Sequence, residues 1–351
     1  MRHVELFSGI GGFRQAMEFL QRDSGVQFNC IGYSEIDTAA ATTYRANFDT
    51  DGELEMGDIV AFANDARRIA QLPRFNLLTG GFPCQSFSMM GAQRGFADAR
   101  GTLFFSMAQL IEATHPRYLL LENVKNLKTH DRGHTFQRIQ ETLESMGYRV
   151  WADVFNTSDF SLAQTRNRIY IFATRAHVPA VFNFSAELVK AHFDVLNDTS
   201  VLRQRSVLDV LRPNAPAKYY LSERIKRTIL SNGTGGYVAR SEIDMPIARP
   251  LCATMAKMHR ACQDNYYSDG YIRGRRHCRY LGGAEGSTGV PIRRLMPEEA
   301  FALQGFPPEN AQRAAAEGLC DGSLYKQAGN AVSVNVVYAI LAYLANQLRW
   351  R

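Results

Sequence analysis

One cysteine of this chain stands in a segment suited to nucleophilic chemistry. Cys84 follows Pro83 in the run Gly80-Gly81-Phe82-Pro83-Cys84-Gln85-Ser86, whose glycines permit a tight turn. The apolar residues at 75–79 predict a buried strand, so the thiol would lie just past the carboxyl edge of a sheet, where open α/β folds place their chemistry. A free cysteine more often fills a gap in an apolar core, and its assignment as a nucleophile therefore depends on other segments.

Two further segments carry side chains that can act on a nitrogen heterocycle. Glu122 and Asn123 end the apolar run at 119–121. A carboxyl group in a partly dry cleft has a raised pKa and can offer a proton to a ring nitrogen, although such a Glu can also simply cap a loop. Arg166 and Arg168 stand two residues apart beside a predicted strand, so their guanidinium groups could grip a phosphate, a carbonyl or a neighbouring carboxylate.

A glycine-rich turn near the N-terminus predicts a nucleoside site. The run Phe7-Ser8-Gly9-Ile10-Gly11-Gly12-Phe13 follows the first predicted strand, and Glu35 comes 23 residues after Gly12. A carboxylate at the end of the second strand accepts hydrogen bonds from ribose hydroxyls. Arg14 takes the place of the third glycine of a dinucleotide fingerprint, which favours S-adenosylmethionine over a dinucleotide. Asp58 could accept a hydrogen bond from an adenine amino group or cap a helix.

The first half of the chain alternates short apolar runs with helical patterns, which predicts one doubly wound α/β sheet to position these side chains. Short apolar runs predict strands at 3–7, 28–34, 75–79, 117–121, 148–155 and 168–174. The last two are expected to form a hairpin or a sheet edge. Helical periodicity predicts helices at 13–20, 103–114 and 332–348, and a further helix starting near Pro297 with acidic residues in its first turn.

The composition is that of an ordinary globular protein. The 351 residues are 46% hydrophobic and 21% charged, a length typical of about two domains. We expect no leader and no membrane-spanning run, and hence a cytoplasmic protein. The six cysteines form no CxxC pair, which indicates reduced thiols. We predict no metal site, because the spacing of His259, Cys262, His277 and Cys278 matches no common zinc motif.

Basic residues are concentrated in an irregular region at 203–290. The net charge is +6 and the pI is near 9.0. Between 257 and 279, six basic residues accompany two acidic ones and are interleaved with tyrosines. This pattern is found at phosphate-binding surfaces, although a solvated basic face is the plainer alternative.

Taken in order, the motifs resemble those of DNA cytosine-5 methyltransferases of the bacterial restriction-modification type. Besides the segments above, the resemblance includes Gln164-Thr165-Arg166-Asn167-Arg168, Arg294-Leu295-Met296-Pro297-Glu298-Glu299, Leu303-Gln304-Gly305-Phe306-Pro307 and Gln327-Ala328-Gly329-Asn330-Ala331-Val332. It covers about 1–175 and 291–345. The part between them corresponds to the variable target-recognition region of the family, so it gives no DNA recognition sequence.

The resemblance implies the fold and its division into domains. We expect a Rossmann-like sheet typical of S-adenosylmethionine-dependent methyltransferases in a discontinuous catalytic and cofactor-binding domain, 1–200 and 322–351. A smaller, irregular target-recognition domain is expected at 201–321. The implied cofactor is S-adenosyl-L-methionine, with S-adenosyl-L-homocysteine as its product.

The resemblance also implies a covalent mechanism on a flipped-out cytosine. Cys84, as a thiolate, would attack C6, Glu122 would stabilise or protonate N3, and C5 would take the methyl group. Asn123 and Arg168 would hold the base and its carbonyl, while Arg166 would support Glu122 or a nearby phosphate. Base flipping is part of the hypothesis because C6 is inaccessible inside a duplex.

The implied contacts fall into two sets. The expected cofactor residues are Phe7, Gly9, Gly11, Gly12, Glu35, Ile36, Asp58, Ile59, Pro83, Leu103, Asn330 and Val332. The expected DNA-binding residues are Gln85, Ser86, Gln93, Arg94, Thr254, Lys257, Arg260, Arg273, Arg275 and Arg276. The first four of these belong to a loop, 85–100, that would close over the flipped nucleotide. The expected partner is double-stranded DNA bound by a monomer in the bacterial cytoplasm near the nucleoid, with a companion restriction endonuclease.

Three alternatives stay open at this point. An RNA cytosine-5 methyltransferase would use the same side chains, although the long basic region at 203–290 favours a reader of duplex DNA. A DNA-binding regulator without catalysis is disfavoured by the presence together of Cys84, Glu122 and Arg168. An NAD-dependent oxidoreductase is disfavoured by the missing third glycine and by the lack of a separate histidine for hydride transfer.

Overall fold

The structure, a computed structural model, describes residues 1–83, 103–230, 242–257, 259–260, 262–274 and 289–350. Two compact units are present. The first contains Met1–Asn156, Asn167–Val201 and the chain from Val336 onward, and the second contains Thr157–Arg166 and Leu202–Asn335. The first unit is discontinuous in the sequence. Residues 322–335 belong to the second compact unit. The predicted boundaries between the catalytic and the target-recognition domain, at 200 and 322, stay a prediction.

The first unit is built on a mixed sheet of seven strands. They are β1 (Arg2–Leu6), β2 (Asn29–Ser34), β3 (Leu54–Glu55), β4 (Leu77–Gly81), β5 (Tyr118–Val124), β6 (Arg149–Asn156) and β7 (Asn167–Thr174). Their order is β3-β2-β1-β4-β5-β7-β6. The first five strands in this order are parallel, whereas β7 runs antiparallel to both of its neighbours. The predicted α/β sheet, with β6 and β7 as its antiparallel edge, is confirmed.

Apolar residues of the central strands form the core on one face of this sheet. Val4 and Leu6 of β1 are fully buried together with Leu78 of β4 and Leu119 and Leu121 of β5. Because side chains alternate along a strand, His3 and Glu5 of β1 point to the opposite face, where both are also fully buried. A parallel sheet covered on both faces produces such nearly continuous buried strands.

The helices of the first unit connect these strands, and three of them begin with an aspartate cap. They are α1 (Gly12–Ser24), α2 (Thr38–Asn47), α3 (Ile59–Ala63), α4 (Ala66–Gln71), α5 (Leu103–Thr114), α6 (His134–Ser145) and α7 (Ala186–Asp194). Asp37, Asp58 and Asp65 accept hydrogen bonds from the first backbone N–H groups of α2, α3 and α4. These bonds satisfy amides that would otherwise lack a partner at a helix start.

The second unit is less regular, as predicted. Its described strands are β8 (Tyr266–Ser268) and β9 (Ile292–Arg294), which pair antiparallel. Its helices are α8 (Glu223–Leu230), α9 (Asp269–Ile272), α10 (Pro297–Leu303), α11 (Pro308–Ala316) and α12 (Asp321–Asn330). A fully buried ion pair between Arg293 and Glu299, with two N–O distances of 2.8 Å, joins β9 to α10.

The last helix is α13 (Val334–Leu348). With α12 it forms the stretch Asp321–Leu348, which is long and apolar enough to span a membrane by length and composition, contrary to our expectation from the sequence. However, 89% of its most apolar window is buried inside the fold, as in the core helix of a globular protein. Its apolar character therefore reflects internal packing.

Candidate active site and cofactor turn

The predicted nucleophile follows directly on a strand end that the structure describes. Strand β4 ends at Gly81, and the chain continues through buried Phe82 to exposed Pro83. Cys84 lies outside the described residues, as do Gln85, Ser86, Gln93, Arg94, Arg275 and Arg276. The expected position past the carboxyl edge of the sheet is thus supported as far as Pro83.

The register of two neighbouring strands brings Glu122 to this same strand end. In the parallel pair of β4 and β5, Gly81 is the partner of Glu122. The carboxylate of Glu122 is about nine-tenths buried, and its Oε1 lies 3.1 Å from Nε of Arg168. Arg168 reaches it because β7 runs antiparallel beside β5 and places Arg168 opposite Val124. The predicted carboxylate and one predicted arginine therefore form a partly buried ion pair at the carboxyl edge of the sheet.

Asn123 has a contact that the sequence did not reveal. Its buried side-chain amide donates a hydrogen bond of 2.8 Å from Nδ2 to the carbonyl oxygen of Phe82. Phe82 precedes Pro83 and Cys84, so this bond holds the segment that leads to the predicted nucleophile. The predicted contact of Asn123 with the base stays a prediction, and the observed bond adds a positioning function.

The glycine-rich turn has the left-handed backbone that its composition predicts. Phe7, Gly9 and Gly11 have φ angles of 52°, 56° and 84°. A Cβ atom on Gly11 would lie 2.2 Å from the ring of Phe48, whereas one on Gly9 would meet nothing within 4 Å. Gly11 is required by packing as well as by φ, while the space beside Gly9 is open.

Glu35 supports this turn through both carboxylate oxygens. Its Oε2 accepts a hydrogen bond of 2.8 Å from the amide of Gly9, and its Oε1 accepts one of 2.7 Å from the amide of Asp37. Each carboxylate oxygen can accept a second bond, so capacity for hydroxyl donors is left. Next to it, Ile36 is 72% exposed, which is unusual for a large apolar side chain.

The other predicted cofactor residues differ in their surroundings. Asp58 caps α3 through Oδ1, which accepts a bond of 2.9 Å from the amide of Val60. The side chain of Ile59 is buried in the core, and Leu103, at the start of α5, is half-buried. In the second unit, Asn330 is exposed at the end of α12, and Val332 is half-buried.

A buried polar cluster lies directly before the turn in the sequence and was not foreseen. Glu5 is fully buried, accepts a hydrogen bond of 3.2 Å from the hydroxyl of Tyr44, and has its pKa raised by burial to about 8. Burial also lowers the pKa of His3 to about 3 and raises that of Cys30 to about 12. These shifts follow from the loss of hydration of the charged forms.

Arg14, which stands where a dinucleotide-binding motif has its third glycine, is hydrogen-bonded to the loop before β3. Its guanidinium donates bonds of 2.7 Å to Oε1 of Glu53 and 3.0 Å to the carbonyl of Asp49. It also lies over the ring of Phe48, 5.8 Å from the centroid. The arginine in the motif is therefore a packing and hydrogen-bonding residue at the back of the turn.

Among the predicted DNA-binding residues, Thr254 and Arg260 lie together in the second unit. A guanidinium nitrogen of Arg260 donates a bond of 2.8 Å to the hydroxyl of Thr254 and lies 3.3 Å from Asp264. Lys257 is exposed. Arg273 is exposed as well and donates a bond of 2.8 Å to the side chain of Asn214. Within the described part of the chain, no group of three His, Cys, Asp or Glu residues is placed to hold a metal ion.

Arg166 lies in the second unit and is buried. Its guanidinium donates hydrogen bonds to the carbonyl oxygens of Leu251, Gly329 and Ala331. The sequence assigned it to Glu122 or a phosphate, and that assignment stays a prediction. These three carbonyls, at 3.0 to 3.1 Å, were not expected from the motif.

Two buried glutamines in the motifs were missed altogether. Gln164 accepts a bond of 2.9 Å from the amide of Leu251 and donates one of 2.9 Å to the carbonyl of Leu303. Gln304 donates to the carbonyl of Ala328 and accepts from the hydroxyl of Ser333. The only signal in the sequence is an uncharged polar residue inside an otherwise apolar motif, since a buried amide must be hydrogen-bonded.

Comparison with known proteins agrees with this geometry. Residues 1–346 match the family of C-5 cytosine-specific DNA methylases. The chain belongs to this family. It is 34% identical to the Type II methyltransferase M.SsoII of Shigella sonnei over 99% of this chain and 80% of that relative. It is also 34% identical to the Type II methyltransferase M.NlaX of Neisseria lactamica over 96% and 94% of the two chains.

Solved structures show the same fold. The Dnmt2 methyltransferase of S. pombe superposes with a TM-score of 0.74 at 19% identity, over 99% of both chains. A putative DNA modification methyltransferase from an E. coli prophage gives a TM-score of 0.60 at 17% identity, over 99% of both chains. The protein is thus a DNA cytosine-5 methyltransferase, an S-adenosylmethionine-dependent enzyme. The RNA alternative has less support, and the oxidoreductase alternative is set aside.

Proposed function

We propose that the enzyme methylates C5 of a cytosine flipped out of a specific double-stranded DNA sequence, through a covalent bond between Cys84 and C6. The observation that carries this proposal is the register of β4 and β5. It sets the carboxylate of Glu122, paired with Arg168, beside Gly81, three residues before Cys84. A nucleophile and a carboxylate at one sheet edge match the needs of addition to a pyrimidine ring.

Each proposed catalytic residue has a defined role. The thiolate of Cys84 adds to C6, and the electron pair of the C5–C6 double bond becomes available at C5. Glu122 stabilises the ring at N3, and Arg168 holds the carboxylate and the base carbonyl. Asn123 contacts the base and, through its bond to Phe82, keeps the preceding segment in place. Once C5 has taken the methyl group and lost its proton to solvent, the C6–S bond breaks and the thiolate is restored.

We propose that S-adenosyl-L-methionine binds at the glycine-rich turn and supplies the methyl group, leaving as S-adenosyl-L-homocysteine. The residues present fit this group. The space beside Gly9 is open, the carboxylate of Glu35 can accept hydroxyl donors, and exposed Ile36 offers an apolar surface for a purine. The remaining proposed contacts are Phe7, Gly11, Gly12, Asp58, Ile59, Pro83, Leu103, Asn330 and Val332.

Four of the proposed DNA contacts lie in the described basic part of the second unit. Exposed Lys257 and Arg273 and the linked pair of Thr254 and Arg260 supply donors for phosphate oxygens. Gln85, Ser86, Gln93, Arg94, Arg275 and Arg276, outside the described residues, complete the proposal.

We further propose that the enzyme acts as a monomer on DNA in the cytoplasm, close to the nucleoid, with a companion restriction endonuclease. Support for the companion comes from relatives named as Type II methyltransferases. A relative from Bacillus phage SPR is named an orphan methyltransferase, so the proposal needs its own test. Sedimentation of the enzyme with a duplex would test the monomer. A search of the host extract for a nuclease that this methylation blocks would test the companion endonuclease.

The decisive test uses Cys84→Ser with Cys320→Ser as a matched control. Cys320 is exposed in the second unit, so its loss should leave transfer unchanged. With tritiated cofactor and duplex DNA from a non-methylating strain, Cys84→Ser should abolish transfer but keep DNA and cofactor binding. Undiminished methylation by Cys84→Ser would refute the nucleophile.

Further measurements identify the methylated base and show whether the substrate is DNA or RNA. Bisulfite sequencing of DNA from cells expressing the enzyme should show 5-methylcytosine within one short motif. A duplex carrying 5-fluorocytosine at that position should become cross-linked to Cys84, because the C5 substituent cannot leave as a proton. Transfer to tRNA in place of DNA would favour the RNA alternative.

A further inference from the structure

The buried guanidinium of Arg166, in the second unit, joins two segments of the chain. The proposed function assigns cofactor binding to one of them and DNA binding to the other. Arg166 donates from one terminal nitrogen to the carbonyl of Leu251, at 3.1 Å. From the other it donates to the carbonyls of Gly329 and Ala331, at 3.0 and 3.1 Å. The side chain is almost completely buried, so water does not compete for these bonds.

The same two segments also touch through their backbones. A Cβ atom on Gly329 would lie 2.3 Å from the amide nitrogen of Ala253 and 2.4 Å from the carbonyl carbon of Cys252. No side chain fits between them, so a displacement of one segment must be followed by the other. Gln164 adds a second bond to this arrangement, since its Oε1 accepts from the amide of Leu251 at 2.9 Å.

The joined segments carry residues of two proposed sites. Asn330, exposed and proposed to contact the cofactor, lies between the two carbonyls that Arg166 binds on one side. Thr254, exposed and proposed to contact DNA, follows directly on Ala253 at the other side. Asn330 therefore lies within the joined segments, and Thr254 is directly next to them.

We propose that Arg166 is a positioning residue that couples cofactor occupancy to DNA affinity, through the junction of 251–253 with 329–331. The inference rests on the proposed function. A ligand that restrains Asn330 also restrains the junction and hence Thr254, so the cofactor product tightens DNA binding. By linkage, DNA tightens cofactor binding by the same factor.

Replacing Arg166 with lysine tests whether the coupling needs the planar, forked guanidinium group. Lysine keeps the charge but presents it at a single nitrogen, which cannot reach carbonyls on both sides as a planar fork does. Arg249→Lys is the matched control. Arg249 also donates from a half-buried guanidinium to two backbone carbonyls, of Glu242 and Asp264, and neither belongs to 329–331.

The experiment measures DNA affinity by fluorescence anisotropy, with and without saturating S-adenosyl-L-homocysteine. For the unmodified enzyme we expect the product to tighten DNA binding at least about fivefold. Arg166→Lys should reduce this ratio to less than about twofold, whereas Arg249→Lys should keep it even where it weakens DNA binding overall. A merely structural loss would lower the affinities without changing their ratio.

Three results would overturn the proposal: no tightening in the unmodified enzyme, an unchanged ratio in Arg166→Lys, or an equal loss of the ratio in Arg249→Lys. If Arg166→Lys does not fold, hydrogen exchange of the unmodified enzyme decides. The product should slow exchange of the amides at 252–255, and unaltered exchange there would refute the coupling. Active enzyme that binds the product but lacks this coupling would contradict the inference alone, whereas absence of methyl transfer would contradict the proposed function.

Discussion

Replacing Glu5 with glutamine should remove a fall in stability that we expect of the native enzyme between pH 6.5 and 8. Glu5 is fully buried in β1, and burial raises its pKa from 4.5 to about 8. Glutamine keeps a carbonyl oxygen for the hydroxyl of Tyr44, now 3.2 Å from the carboxyl group. Because the amide is nearly isosteric and does not ionise, the substitution isolates the protonation equilibrium.

The direction of this pH dependence follows from whether the native or the unfolded state holds the proton. Between pH 4.5 and about 8, native Glu5 is protonated while the unfolded chain has lost this proton, so the free energy of unfolding falls as the pH rises. His3 acts in the opposite sense, because burial lowers its pKa from 6.5 to about 3 and the native state holds fewer protons in that interval. The two effects oppose each other up to about pH 6.5, and above it His3 no longer offsets Glu5.

The magnitude of the Glu5 effect comes from the interval above pH 6.5, where His3 no longer offsets it. One proton changes the free energy of unfolding by about 1.4 kcal/mol per pH unit. From pH 6.5 to pH 8 the native enzyme should therefore lose about 2 kcal/mol through this group. Glu5→Gln should lose none of that amount, so the two stability curves should converge or cross as the pH rises.

Urea unfolding at several pH values between 6.5 and 8 measures this difference. The chain has two tryptophans, Trp151 and Trp350, and both belong to the first unit, so their fluorescence reports the unit that contains Glu5. Glu112→Gln, an exposed residue of α5, is the control for the same change of charge and should keep the native slope. Equal slopes for Glu5→Gln and the native enzyme would refute the reasoning.

Four other single substitutions, at Gly9, Gly11, Arg168 and Arg293, test the site and its support. Gly9→Ala and Gly11→Ala each place alanine in the left-handed region at about 1–2 kcal/mol. Only Gly11→Ala also meets the ring of Phe48, at 2.2 Å, so its affinity for S-adenosyl-L-homocysteine by calorimetry should fall further; equal losses would contradict this. Arg168→Lys removes the Nε that lies 3.1 Å from Glu122 and should lower kcat/KM about 10- to 150-fold, from a charged hydrogen bond of about 1.5–3 kcal/mol. Steady-state kinetics within about twofold of the native enzyme would argue against that contact in the transition state. Arg293→Met should destabilise the second unit by about 3–5 kcal/mol, because Glu299 is left buried and unpaired. Arg293→Met combined with Glu299→Leu should recover much of this loss in thermal unfolding, and no recovery would show that the buried charge is not the cause.

Much of the fold could be predicted from local patterns. Apolar runs located six of the seven strands of the sheet to within a few residues, and the periodicity of 103–114 coincides with α5. The order of the motifs also predicted the family, which the match over residues 1–346 confirms. These features are encoded in residues close together in the chain, where periodicity directly reflects which side chains are buried.

The contact between Glu122 and Arg168 could not be predicted from local patterns. Each was identified as a polar residue at a strand boundary, but their contact depends on β7 running antiparallel beside β5. The glycines of the cofactor turn were predicted for their backbone freedom. The specific need at Gly11 comes from Phe48, which lies in another element.

The sequence by itself determined the types of element and the membership of the family, and it predicted which side chains react. Only the tertiary structure decided the partners of the buried polar groups. Asn123 is bonded to a carbonyl 41 residues away, and Arg166 to carbonyls 85, 163 and 165 residues away. A buried donor must find an acceptor, but the sequence does not state which one, because the choice depends on how distant segments pack together.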